Sequence, residues 1–239
     1  MAHQLSTIND SVRTDPAAFL AQCDGAYQKR VEEAADRIIE RLDISPIVLL
    51  SGPSGSGKTT TALKIEEELE RRGIVTHTIS LDNYFKTLNK ATAPRTPEGD
   101  LDFESPLCLD MELLDESFTK LSRGEEVIVP KFEFARQMRN DAKGRPLRLG
   151  KREVAIFEGI HALGPGIAGP HPEATKLYIS ARSNVLEGET LRFKGTWMRL
   201  TRRAVRDYNF RGTDVSDTLA MWANVRRGEK LHISPYKNT

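Results

Sequence analysis

Cysteine is scarce in this chain, with only Cys23 and Cys108 among 239 residues. Neither stands at a metal-binding spacing, so a disulfide framework and a structural zinc site are excluded as organising features, and a reduced intracellular protein is expected. Long apolar runs are missing too. Nothing approaches the roughly 18 consecutive apolar residues of a membrane span, and the opening MAHQLSTIND has no apolar core of signal length. The expectation is a soluble cytoplasmic protein. Neither sign of charge is in excess: 35 Lys and Arg face 34 Asp and Glu, a net charge of +1. No global field therefore advertises nucleic acid or an anionic membrane. Internal repeats and low-complexity tracts are absent. The single Asn-Lys pair, Asn89-Lys90, is followed by Ala-Thr instead of the x-Asp of guanine-specific switches, and no RNA-binding aromatic signature appears. Together these absences argue against a nucleotide-dependent switch and a nucleic-acid-binding ATPase.

What is present begins at Ser51 to Thr61, reading SGPSGSGKTTT. Gly52, Gly57, Lys58 and Thr59 fit the phosphate-loop pattern G-x-x-x-x-G-K-[ST]. The flanks supply its required context. Ile47 to Leu50 is a continuous apolar run, as expected of a strand buried on both faces of a parallel sheet. Residues 62–72 read as a helix ended by Gly73. Backbone N–H groups can wrap phosphate oxygens where no Cβ intrudes, so Gly52, Gly55 and Gly57 suit the turn. The donor-binding set is Gly52, Pro53, Ser54, Gly55, Ser56, Gly57, Lys58, Thr59 and Thr60. Lys58 would reach the β- and γ-phosphates of ATP, and the Thr59 hydroxyl would hold Mg²⁺.

Before this loop, Phe19, Cys23, Tyr27, Val31, Ala34, Ile38 and Leu42 recur at steps of three and four. An amphipathic packing helix over residues 16–42, opened by Asp15-Pro16, follows from that spacing. After it, residues 74–81 read as a second strand, delivering Asp82, Asn83, Tyr84 and Phe85 to its C-terminal end, the edge where open α/β sheets bind ligands. The Pro- and Gly-punctuated residues 86–106 suggest a substrate-covering loop. A helix at 110–122, a third strand at 126–130 and a hairpin or exposed loop at 138–151 follow. A fourth strand at 153–157 ends in Glu158-Gly159, and a fifth lies at 176–180. Alternating strands and helices predict a mainly parallel five-stranded sheet wound on both faces. From Arg192 to Gly212, seven bases face one acid, and Arg199, Arg202, Arg203 and Arg206 share a helix face. An arginine-rich helical lid over the phosphates is expected.

The phosphate loop, SLDNYF at Ser80 to Phe85, DFESP at Asp102 to Pro106, PKFEF at Pro130 to Phe134, FEGIH at Phe157 to His161 and RLTRRAVRDYNFRG at Arg199 to Gly212 occur in a familiar order. This combination resembles the uridine kinase and phosphoribulokinase family, and within it the bacterial uridine kinase-like nucleoside kinases. The similarity covers roughly residues 46–236. It implies a P-loop NTPase three-layer fold with an N-terminal helical extension at 1–45, a kinase domain at 46–239 and a lid at about 192–212. It also implies Mg²⁺-dependent transfer of the γ-phosphoryl of ATP to the 5′-hydroxyl of a nucleoside, uridine or cytidine being favoured by the family.

By the same resemblance Asp82 is the catalytic carboxylate, and Glu104 falls where an Asp commonly holds ribose hydroxyls. Glu158 and Asp82 join Thr59 as metal-site residues. Arg203, Arg206 and Arg211 match lid and substrate-binding positions. Tyr84 and Phe85 either line the acceptor site or pack under it, and His161, just after Glu158-Gly159-Ile160, is either an acid or base at the substrate edge or a histidine satisfied by neighbouring backbone. Uridine–cytidine kinases commonly set a Tyr and, five residues on, a His against the pyrimidine. Here the positions are Phe132 and Gln137, which keeps stacking and changes the hydrogen-bond pattern. A sugar phosphate or other small alcohol is the alternative acceptor, with Arg136 or Arg139 meeting its phosphate. The implied partners are a small-molecule substrate and no nucleic acid or membrane, with a homo-oligomer compatible with the family. Relatives continue beyond the SPYK-like segment into another strand and helix, whereas this chain stops at Lys237-Asn238-Thr239, so the expectation is either a missing edge strand or a shortened form, with family-like oligomerisation put in doubt.

Overall fold

The computed structural model describes residues 2 to 238. In chain order, strand β1 (Ala2–Gln4) leads into helices α1 (Leu5–Thr14) and α2 (Pro16–Glu40). Strand β2 (Ile47–Ser51), α3 (Lys58–Arg71), β3 (Val75–Ser80) and α4 (Met111–Ser122) follow. Four short strands come next: β4 (Val127–Val129), β5 (Phe132–Glu133), β6 (Met138–Arg139) and β7 (Arg145–Leu147). Then come β8 (Glu153–Glu158), the single turn α5 (Pro165–Ala168), β9 (Thr175–Tyr178) and the hairpin β10 (Asn184–Glu187) with β11 (Thr190–Phe193). Helices α6 (Gly195–Arg211) and α7 (Val215–Gly228) close the order before short helical turns at the C-terminal end.

Local chemistry accounts for several boundaries. Asp15 caps α2, its carboxylate accepting the Ala18 N–H at 2.9 Å, and Pro16 takes the first helical turn, where a missing N–H costs nothing. Asp110 caps α4 through the Leu113 N–H. Gly57, at φ 97°, turns the phosphate loop into α3.

The central sheet has the order β3-β8-β2-β9, all parallel. It has four strands, which corrects the five-stranded expectation. Residues 126–130 do contain β4, but that strand pairs antiparallel with β7 outside the sheet. The reason is burial on one side alone: Val127 and Val129 are buried whereas Ile128 is 51% exposed. An interior parallel strand needs apolar cover on both faces.

Alternation along β2 and β8 divides the core. Ile47, Leu49, Ala155 and Phe157 face α4, meeting Leu114, Phe118 and Leu121. Val48, Leu50, Val154 and Ile156 face α3 and α2, meeting Ile65, Leu69, Val31, Ala35 and Ile38. Only the C-terminal part of α2 thus covers the sheet; Cys23 and Tyr27 of the expected packing face are exposed, because the helix runs past the sheet there. Full burial of each such large side chain contributes about 1.5–3 kcal/mol.

Register then positions the chemistry. Glu158 of β8 pairs with Leu50 on one side and Ser80 on the other. The phosphate loop, Glu158 and the Leu81–Tyr84 turn that carries Asp82 therefore meet at the C-terminal edge. A smaller sheet, β1-β10-β11, sits before α6.

Candidate functional site

A cleft of about 580 Å³ opens at that edge. Ser54, Lys58 and Thr59 form its phosphate-loop wall, and Asp82, Glu104 and Glu158 bring three carboxylates to it. Arg203, Arg206 and Arg211 enter from α6. The far end is aromatic: Phe85, Phe132 and Phe134 meet edge to face, with centroid separations of 5.2 to 6.5 Å. Asn83 holds this box to the turn below it, its side-chain oxygen accepting the Phe132 N–H. Gln137 borders the box in a left-handed conformation, φ 49°.

Burial dominates the electrostatics of the cleft. Burial lowers the pKa of Lys58 despite the opposing pull of Glu158 and Asp82. Burial, then repulsion from Arg206, also lowers that of Arg211. A single acid, Asp207, answers the lid cations: Arg203 at 3.2 Å, Arg206 at 2.6 Å and Arg211 at 3.7 Å. Burial raises the pKa of Asp82 against the pull of Lys58, Arg211 and Arg206, and raises that of Glu158 too. Glu104 is pushed up to about 7, again chiefly by burial. Thr59 Oγ1 donates to Glu158 Oε1 at 3.2 Å, which links the first turn of α3 to the end of β8.

A polyphosphate fits this arrangement. The Ser56 hydroxyl is buried with no hydrogen-bond partner among the described residues, an orphan that a ligand oxygen would satisfy. Mg²⁺ fits as well, because it is held through one or two protein oxygens, phosphates and water. Thr59, Glu158 and Asp82 are hard oxygen donors, and among the described residues no group of three or more His, Cys, Asp or Glu forms a cage of its own.

Two loop glycines have a packing role as well, and Gly55 also turns at φ 74°. A Cβ on Gly52 would stand 2.2 Å from the Ile179 carbonyl oxygen, and one on Gly55 would stand 2.5 Å from that of Arg199. Both are small so that the loop can pack against the end of β9 and against α6. Pro53 accepts the Ser56 N–H, closing the turn. Ser56, Gly57 and Thr60 line a different cleft, on the opposite side of the loop.

Three expected acceptor residues lie elsewhere. Tyr84 is fully buried, its hydroxyl on Ser117 and its ring 6.2 Å from Phe157, because the 3₁₀ turn points it into the core while Phe85 faces the cleft. Arg139 is engaged by Asp110 at 2.6 Å and Asp141 at 2.9 Å. His161 is 3% exposed and outside the cleft lining, and burial, reinforced by His232, pulls its pKa to about 4, which favours the neutral ring. Arg199 does not share the solvent-facing side of α6, being 1% exposed. Sequence reasoning also passed over Phe103, Lys86 and Cys108, which line the cleft. Only the place of Lys86 and Phe103 in the long covering loop hinted at them, and Cys108 lies just beyond it. Burial raises the Cys108 thiol to about 11, which keeps it un-ionised.

The parallel sheet, phosphate loop and edge cleft define a P-loop kinase fold. Residues 47–165 match the Phosphoribulokinase / Uridine kinase family. A uridine kinase of Schizosaccharomyces pombe is 30% identical over 173 residues, covering 72% of this chain and 34% of the relative. One from Staphylococcus aureus strain JH9 is 26% identical over 181 residues, covering 76% and 77%. The chain spans 34% and 40% of the lengths of the S. pombe and Saccharomyces cerevisiae uridine kinases. Among solved structures, one described as a fructose transport system kinase of Silicibacter sp. TM1040 superposes with a TM-score of 0.61 at 23% identity, over 85% of this chain and 95% of that one. At that identity the likeness is one of fold. Among the described residues no helix is long and apolar enough to cross a membrane.

Proposed function

We propose that this chain transfers the γ-phosphoryl of Mg·ATP to the 5′-hydroxyl of a nucleoside. The observation that carries the reading is one shared cleft with the phosphate-loop residues Lys58 and Thr59 at one end, Asp82 and Glu104 in the middle, and the Phe85, Phe132 and Phe134 box at the other. A flat base stacks in that box, which places the ribose toward the carboxylates. Asp82 accepts the hydroxyl proton, and its raised pKa makes it a better base than an exposed Asp. Glu104 holds the ribose hydroxyls. Lys58, Arg203 and Arg206 meet the charge on the transferring group, while α6 closes as a lid and excludes competing water. Thr59, Glu158 and Asp82 would hold Mg²⁺, which when bound neutralises charge on the phosphate oxygens. Gln137 takes the position where the base edge is read.

For the sugar-phosphate alternative, Arg139 is paired with Asp110 and Asp141 and Arg136 with Glu133, so a phosphorylated acceptor would compete with these carboxylates. The test is ADP production from Mg·ATP across the natural nucleosides, several sugar phosphates and a no-acceptor control, with the product identified by mass. Nucleoside-dependent turnover is expected. Turnover with a sugar phosphate alone would overturn the nucleoside reading and keep the kinase; none with any acceptor would overturn both.

A further inference from the structure

A second cleft, of about 620 Å³, lies across the phosphate loop from the first. The loop is the partition. Ser54, Lys58 and Thr59 face the acceptor cleft, whereas Ser56, Gly57 and Thr60 face this one. Its floor is apolar, made of Val31 and Ala34 from α2, Ile65 from α3, and Leu177 and Ile179 at the end of β9. Its rim is aromatic and cationic, with Tyr27 and Arg30 from α2 and Arg202 from α6. Tyr27 is fixed to the first turn of α3 by a 2.9 Å hydrogen bond between its hydroxyl and Thr61 Oγ1. Arg202 leans onto the loop, its Nη2 3.0 Å from where a Cβ of Gly57 would stand. Ser56, 7% exposed, presents the unpartnered hydroxyl on this side.

A nucleoside triphosphate drawn along the loop has two ends. Its γ-phosphoryl must lie among the carboxylates of the first cleft, so its α-phosphate emerges past Thr60 into the second. We infer that the second cleft takes the nucleoside half of the phosphoryl donor, and that Tyr27 and Arg30 of the N-terminal helix are specificity-determining residues for it. An apolar floor with an aromatic and guanidinium rim suits a flat heterocyclic base. Both residues precede the family-matched segment, which begins at residue 47, so this wall of the donor site is a feature of the chain outside that segment. The inference rests on the proposed function only in taking the phosphate loop to hold a polyphosphate.

Calorimetric titration with ADP and, separately, with inorganic tripolyphosphate, both with Mg²⁺, tests it on the full chain. Tyr27 is 39% exposed and Arg30 is exposed, so Tyr27→Ala/Arg30→Ala should fold. The expected result is ADP affinity weakened about tenfold, the equivalent of one or two modest stacking and cation–π contacts, with tripolyphosphate affinity unchanged. Arg30→Glu alone, at an exposed position, should discriminate the two ligands in the same sense if the double variant folds poorly. Equal weakening of both ligands, or no change in either, overturns the inference. Lys58→Ala separates the levels. If the wild type binds neither ligand in a Lys58-dependent way, the phosphate-loop reading fails and the inference falls with it.

Discussion

Arg199 and Glu229 form a buried ion pair, Nη2 to Oε2 at 2.7 Å, with side chains 1% and 5% exposed. The same guanidinium donates through Nη1 to the Ser54 carbonyl at 3.1 Å. Arg226 meets the same carboxylate, and Arg203 donates to the Ser54 hydroxyl at 2.9 Å. The basic helix is therefore fastened to the phosphate loop at one end of its arginine row, while Arg206 and Arg211 stay directed at the cleft.

Removing one partner of this pair strands a buried charge. Glu229→Gln is expected to cost about 3–5 kcal/mol in urea unfolding, and the double variant Arg199→Met/Glu229→Leu to recover most of it. A single-variant loss below about 1 kcal/mol would show that the Ser54 carbonyl and solvent satisfy Arg199 without the carboxylate, and that the pair does not anchor α6.

Asp82→Asn keeps the shape and loses the base. Phosphoryl transfer should fall by about 10²–10⁴-fold, with ADP affinity changed little, since general-base catalysis is worth that much. Turnover in this variant equal to wild type would remove Asp82 from the chemistry.

Glu104 links stability to pH. Its carboxyl has a pKa near 4.5 unfolded and about 7 folded, so between those values the folded state holds more protons and stability falls as pH rises. Glu104→Gln removes this penalty. The ligand-free variant should gain about 1–3 kcal/mol over wild type at pH 8 and much less at pH 5, the ceiling set by the size of the shift. Melting curves at the two pH values give the answer, and an identical difference at both would mean that Glu104 titrates normally.

Phe134 tests the acceptor end. It is 53% exposed and touches Phe85 and Phe132, so Phe134→Ala should fold and lose one aromatic contact. Acceptor KM should rise about 3–10-fold while ATP KM holds, in line with the worth of an aromatic pair. A matching rise in ATP KM would point to a general distortion of the cleft.

Local features were legible in the sequence because their causes are local. The phosphate loop, the apolar β2 before it, the capped α2 and the acids at strand ends each depend on neighbours a few residues away. Distant pairing decided the rest. Thr59 meets Glu158 across 99 residues, and Arg199 meets Ser54 across 145. No window of sequence could show that Gly52 must clear the Ile179 carbonyl, or that Arg139 is held by Asp110 before any acceptor arrives. Tyr84 and Phe85 are adjacent aromatics of similar size; a single 3₁₀ turn, held by the packing of β3 beside β8, sends one into the core and the other to the cleft. The order of residues determined that this chain carries a phosphate-binding loop on a parallel α/β sheet. Only the tertiary structure decided which charges remain unsatisfied at its edge, because a charge is free or neutralised according to what the fold brings within a few ångströms of it.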